Sequence, residues 1–116
     1  MKLPAVLAVD DSKENEVTLT IGMSPELVAF SGHFPDNPIL PGVVQIDWVM
    51  RFAAVHFGIK KIAAPDFQVK FRNVIRPGEP IALTLKLDHS KRQLSFTYQS
   101  GHALMSSGQL KLETTL

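Results

Sequence analysis

Cysteine is absent from the 116 residues, which excludes both a disulfide scaffold and a cysteine-ligated metal site. An excess of one charge sign is absent too, because 12 Lys and Arg stand against 11 Asp and Glu, for a net charge of +1. No bulk field therefore attracts nucleic acid or a membrane, and an anionic partner must meet a local patch. The N-terminal segment MKLPAVLAVDDSKENE has an apolar stretch too short for a signal peptide or a membrane span. We expect a cytoplasmic protein.

What is present is typical of one globular domain. Hydrophobic residues make up 45% of the chain and charged residues 20%, which is ordinary for a folded protein. We find no internal repeat and no low-complexity segment. The length predicts a single domain over residues 1–116, a size at which a second chain would help to bury the core.

Most of the chain after residue 60, and one segment before it, alternates between apolar and polar residues. This alternation has the period of a half-buried strand. It predicts strands around residues 17–21, 67–71, 81–87 and 94–98, and a last strand over 103–114 with a bulge at 106–108.

Residues 42–57, GVVQIDWVMRFAAVHF, have the length and character of a helix. They contain no proline and only four polar side chains, and they span roughly 24 Å at ~1.5 Å per residue. Gly58 is the predicted stop. Because this helix is apolar almost all round, we expect it to be enclosed on most sides. An antiparallel sheet can bury one face, so five or six strands curled around the helix satisfy both patterns. The predicted fold is α+β, of the hot-dog type.

A proline-rich loop leads into this helix. Four prolines between residues 25 and 41 restrict the backbone, so His33 in their midst has little entropy left to lose when it is held in place. At Pro41-Gly42 the helix begins. Unpaired N–H groups and the positive end of the helix dipole can face a developing oxyanion there.

The second turn of the helix carries one carboxylate, Asp47. Its apolar surroundings should desolvate it in part and favour the protonated form, whereas Arg51, four residues on, favours the ionised form. A histidine with a pKa near ~6.5 is a suitable base, and a protonated carboxyl is a suitable acid. His33 and Asp47 together suit proton removal next to a carbonyl with departure of a β-hydroxyl. The alternatives are a structural or merely exposed His33 and a structural Asp47–Arg51 salt bridge.

Residues 32–47, GHFPDNPILPGVVQID, resemble the active-site motif of the 3-hydroxyacyl-carrier-protein dehydratases of fatty acid synthesis. The family pattern is G-H-F-P-x-x-P-x-x-P-G, with an acid fourteen residues after the histidine, and His33 and Asp47 are fourteen residues apart. Downstream, VKFRNVIRPGEP resembles a second segment of the family. Within the family, LPGVVQIDWVMRFA is similar to the dehydratases of aryl polyene pigment biosynthesis. Arg51 departs from the pattern, because the family usually has Gln there.

The resemblance implies a role for each matching residue. His33 would take the C2 proton of a 3-hydroxyacyl thioester, Asp47 would help the hydroxyl leave as water, and the N–H of Gly42 would hold the thioester carbonyl. It also implies a dimer, either of two copies or with a related hot-dog subunit, in which the loop histidine of one chain faces the helix acid of the other. Further residues expected to contact substrate are Phe30, Phe34, Pro41, Val43, Trp48 and Arg51. For the aromatic ones the alternative is ordinary core.

The resemblance further implies an acyl carrier protein as partner, with the substrate on its phosphopantetheine arm. We expect no metal and no bound organic cofactor. The candidates for the carrier-docking surface are the basic residues Lys60, Lys61, Lys70, Arg72 and Arg76. A solvated basic face is the alternative for these side chains. For the whole chain, the alternatives are a hot-dog thioesterase and a non-catalytic hot-dog subunit.

Overall fold

The computed structural model of this chain describes residues 3–27, 38–59 and 62–112, the last range without the side chains of residues 62–67. These ranges hold one helix and six strands. In chain order the elements are β1 (Val6–Asp10), β2 (Glu16–Met23), α1 (Gly42–Phe57), β3 (Ile62–Phe71), β4 (Gly78–Asp88), β5 (Gln93–Ser100) and β6 (Ala103–Leu112).

The six strands form one antiparallel sheet in the order β1-β2-β4-β5-β6-β3. The alternation in the sequence sets which side chains face the helix. In β2, for example, Val17, Leu19 and Ile21 are buried against the core. Thr18, between them, points to the outer face and lies 3.0 Å from the hydroxyl of Thr84 on β4. β1 and β3 occupy the two edges of the sheet.

Helix α1 begins and ends at the predicted residues. Pro41 precedes it in an extended conformation, and Gly58 ends it in the left-handed region at φ 67°, where its N–H donates to the carbonyl of Ala54. Glycine adopts this conformation without steric cost, which explains the stop. The helix is too short to span a bilayer, and no other helix occurs in the described ranges.

The expectation that α1 is enclosed on most sides is wrong for the single chain. The sheet covers the face that carries Trp48, Val49 and Phe52, all at most 3% exposed. The opposite face remains open, with Val43 75% and Met50 38% exposed and Ala54 exposed one turn further on. The reason is geometric: one curled sheet wraps around one side of a helix, and the other side needs a further layer.

The predicted bulge at residues 106–108 is misplaced. Tyr98 pairs with Ser106 while the next residue, Gln99, pairs with Leu104, so the extra residue of β6 is Met105. Gly108 pairs regularly with Phe96. Its lack of a side chain serves a close approach instead, because a β-carbon there would lie 2.7 Å from the Phe96 ring.

Candidate active site

The start of α1 lies against the segment that follows β3. The Leu40 N–H donates to the carbonyl of Ile75, which is fully buried, at 2.7 Å. The ring of Phe71 covers Gly42 so closely that a β-carbon at position 42 would come within 2.6 Å of it. A side chain at this position would therefore displace the ring. The fold thus brings together the two segments that carry the family resemblance.

Among the described residues, the first two N–H groups of the helix have no acceptor. The carbonyl of Pro41 accepts bonds from the N–H groups of Val44 and Gln45, both at 3.1 Å, and no described side chain caps the helix. Within the described ranges, nothing accepts a hydrogen bond from the N–H of Gly42 or Val43. With the positive end of the helix dipole, these donors suit a developing oxyanion. The assignment of this role to Gly42 stays a prediction.

Asp47 and Arg51 form the salt bridge that their spacing predicts. Arg51 Nε lies 3.1 Å from Asp47 Oδ2, with the two side chains 44% and 37% exposed. The carboxylate is therefore partly removed from water in the single chain, as expected for an acid on this apolar helix. Its further desolvation depends on what covers the open face of α1.

An Arg51→Gln protein tests whether the guanidinium tunes Asp47. Removing a positive charge 3.1 Å away favours the protonated carboxyl. If Asp47 supplies a proton, kcat should rise by no more than about twofold, since partly exposed pairs of this kind contribute only ~0.3–0.5 kcal/mol. An unchanged profile of kcat against pH would show that Arg51 does not tune Asp47.

The other predicted substrate contacts fall into three groups. Val43 lies on the open face of α1, and Pro41 precedes it at the helix start. Trp48 lies in the hydrophobic core, 1% exposed, and its indole N–H has no partner among the described residues. The remaining predicted site residues lie outside the described side chains: Phe30, His33, Phe34, Lys60 and Lys61.

The described docking candidates divide between two grooves. Lys70 and Arg72 line a groove on the outer face of the sheet, together with Thr97 and Ser107. Arg76 lines a separate groove, beside Val74 and Glu79. The structure therefore brings Lys70 and Arg72 together. Within the described part of the chain, no group of three metal-ligating side chains occurs.

A buried polar cluster beside the helix start was missed from the sequence. Tyr98 Oη donates to the backbone carbonyl of Gln45 at 2.7 Å, and Ser106 Oγ donates to Gln45 Oε1 at 2.7 Å. Burial, and then the negative charge of Asp47, raise the pKa of Tyr98 well above its usual value, so the phenol is a neutral donor. The available signal was Gln45 itself, a polar residue in a nearly apolar helix.

The sheet order and the one helix of the described ranges are those of the hot-dog fold, and the helix carboxylate near an open helix start agrees with the dehydratase resemblance of the sequence. The family described as ApeI dehydratase matches residues 9–109. The chain therefore belongs to the ApeI-like dehydratase family, which confirms both the predicted fold and the predicted family.

Two kinds of relative agree with this assignment. The chain superposes on a chain of the dehydratase heterocomplex ApeI:P from Xenorhabdus doucetiae with a TM-score of 0.83 and 34% identity, covering 97% of this chain and 98% of that one. The 3-hydroxyacyl-[acyl-carrier-protein] dehydratase FabZ of Oenococcus oeni is 35% identical over 82 residues, 65% of this chain and 56% of that protein. FabZ of Desulfotalea psychrophila is 27% identical over 84% of this chain and 69% of that protein.

Proposed function

We propose that this chain dehydrates a 3-hydroxyacyl thioester on an acyl carrier protein to the trans-2-enoyl thioester. The observation that carries the proposal is the open N–H of Gly42 at the start of the same helix that presents Asp47 on its uncovered side. Along the helix axis the two residues are about 7.5 Å apart. Membership of a dehydratase family and the printed activity of the FabZ relatives support the same reaction.

The reaction balances with the residues assigned to it. The neutral imidazole of His33 takes the C2 proton, and the electron pair moves onto the thioester oxygen, where the Gly42 N–H stabilises the negative charge. The pair then forms the C2–C3 double bond as the C3–O bond breaks. The departing hydroxyl takes a proton from the carboxyl of Asp47 and leaves as water. If Asp47 is instead ionised and paired with Arg51, it positions the hydroxyl, and the departing hydroxyl takes its proton from the imidazolium of His33.

Incubation with 3-hydroxyacyl carrier proteins of several chain types, aryl-capped and aliphatic, tests the proposal. Intact mass should show the loss of one water from the acyl group while the thioester stays intact. Release of free thiol without enoyl product would identify a thioesterase instead. No turnover of any substrate would favour a non-catalytic subunit.

A second hot-dog chain is proposed to cover the open face of α1. Val43, Asp47, Met50 and Ala54 form a stripe at spacings of four, three and four residues, which places them on one side of the helix. Val43 is 75% and Met50 38% exposed in the single chain. Exposed apolar side chains on both sides of one carboxylate indicate an interaction site, and covering them would also desolvate Asp47. The cover is a second copy or a related subunit, as the heterocomplex of the ApeI relative suggests.

A Met50→Lys protein should lose this assembly. A lysine in the centre of the stripe would place a charge in the contact, which opposes burial. Native mass spectrometry, with the proposed partner present, should then show the 12.8 kDa chain alone, and dehydration should fall in parallel. Val9→Lys is the matched control, because Val9 is also half exposed but lies on the edge strand β1. A Met50→Lys protein that assembles normally would contradict the proposed interface.

Carrier docking by Lys70 and Arg72 is part of the same proposal. The two side chains line one groove, and an acidic carrier protein would be attracted to adjacent positive charges. The cytoplasmic location and the independence from metal and organic cofactor stay predictions.

A further inference from the structure

A chain of buried hydrogen bonds connects the sheet to the residues that precede the helix. Ser106 Oγ donates to Gln45 Oε1 at 2.7 Å, and Gln45 Nε2 donates to the carbonyl of Leu40 at 3.2 Å. Tyr98 Oη donates to the main-chain carbonyl of Gln45 at 2.7 Å. Tyr98 and Ser106 are fully buried and Gln45 is 3% exposed. Each polar atom of the Gln45 amide thus has a partner.

The cluster lies where the sheet changes register. Tyr98 and Ser106 are cross-strand partners, and the bulge residue Met105 directly precedes Ser106. The carbonyl of Met105 accepts the N–H groups of Arg72 at 2.9 Å and Asn73 at 3.1 Å, the first two residues after β3. This segment supplies the Ile75 carbonyl that accepts the Leu40 N–H. The N–H and the C=O of Leu40 are therefore both held from the same corner of the sheet.

Fixing Leu40 determines the geometry of the next two residues. Pro41 has φ −61°, which its ring restricts, and its carbonyl points into the helix to accept two N–H groups. In a trans peptide the N–H of Gly42 points opposite to the carbonyl of Pro41. The Gly42 N–H therefore points away from the helix. The direction of the Gly42 N–H then depends on the orientation of the Leu40–Pro41 peptide. The side-chain amide of Gln45 fixes that orientation through its bond to the Leu40 carbonyl.

A purely structural role explains Gln45 poorly. An apolar side chain would fill this core position without the free-energy cost of burying an amide. An amide is expected here if its hydrogen bonds are needed to fix the orientation of the neighbouring backbone. We propose that Gln45 is a positioning residue for the reaction. With Ser106 and Tyr98 it holds the segment from Leu40 to Gly42 so that the Gly42 N–H points at the thioester oxygen. The identity of that oxygen rests on the function proposed above.

The test compares Gln45→Met and Ser106→Ala with a control of similar chemistry. Gln45→Met keeps the volume and removes both amide bonds, and Ser106→Ala removes one hydroxyl. Thr84→Val is the control, because it removes the hydroxyl bond to Thr18 on the outer face of the sheet, away from the helix. All three should lower the melting temperature.

Two measurements separate positioning from stability. In the two cluster variants the Gly42 amide resonance should move in a nitrogen–proton NMR spectrum, and kcat should fall by roughly 10- to 100-fold, approaching the loss of an oxyanion donor. KM should change by less than about twofold, since the bond from the Gly42 N–H strengthens mainly as negative charge develops on the thioester oxygen. Thr84→Val should change neither the resonance nor kcat.

An unmoved Gly42 resonance in both cluster variants would overturn the proposal, as would an equal fall of kcat in Thr84→Val. If Gln45→Met does not fold, Ser106→Ala and Tyr98→Phe decide the question by the same two measurements. The NMR arm is independent of catalysis. A wild-type protein without dehydratase activity would therefore refute the proposed function while the Gly42 resonance still tests the placement by Gln45.

Discussion

An Asp47→Asn protein is expected to fold normally and to lose dehydration by about 100- to 10,000-fold, the usual contribution of a positioned acid or base. Asparagine has nearly the same shape but cannot donate a carboxyl proton. The cost in stability should stay below about 1 kcal/mol, because the Asp47–Arg51 pair is partly exposed and such pairs contribute little. The turnover of a 3-hydroxyacyl carrier protein, followed by mass, measures the loss.

Asp11→Asn is the matched control for this substitution. Asp11 is exposed in the segment between β1 and β2, and its replacement makes the same change in net charge. It should retain full activity. An Asp47→Asn protein with the activity of this control would show that the helix carboxylate takes no part in the reaction, and would favour a purely structural salt bridge with Arg51.

Replacing His33 with Ala is expected to abolish dehydration, because no other group is assigned to take the C2 proton. His33 lies outside the described residues, so this prediction depends on the motif GHFPDNPILPG and on the open N–H of Gly42, which the motif's last residue supplies. The melting temperature and the assembly should be unchanged. An active His33→Ala protein would refute the assignment of the base.

Mixing the two inactive proteins tests whether the site is shared between chains. If the histidine of one chain faces the acid of the other, a mixed dimer of His33→Ala and Asp47→Asn contains one intact pair, His33 from one chain and Asp47 from its partner. Part of the activity should therefore return after subunit exchange. No recovery, with exchange shown by native mass spectrometry, would place both groups of a site in one chain.

The elements that local chemistry controls were predictable. Pro41 and Gly58 bound the helix through their backbone preferences, and residues 42–57 are the helix in the structure. Strands with one buried face were found through their alternation. β1 was not, because all five of its residues are exposed and no alternation results. The bulge at Met105 was misplaced by one residue, since it depends on pairing between strands.

In the candidate site too, contacts between residues close in the chain were predictable and contacts between distant residues were not. The Asp47–Arg51 pair is a contact between residues four apart on one helix, so the sequence alone predicts it. The Gly42–Phe71 approach joins residues 29 positions apart, and the bond from Ser106 to Gln45 spans 61. No local pattern encodes such separations.

By itself, the sequence therefore determined the family, through the motif of residues 32–47. It also determined the helix with its carboxylate and guanidinium, and the glycine at the helix start, because backbone preferences and short spacings act locally. Only the tertiary structure decided that Leu40 is held by Ile75 and Gln45, that Tyr98 and Ser106 anchor that glutamine, and that one face of α1 stays open. These features depend on strand register and on the side of the helix that the sheet covers. Both are set by the packing of residues distant in the chain.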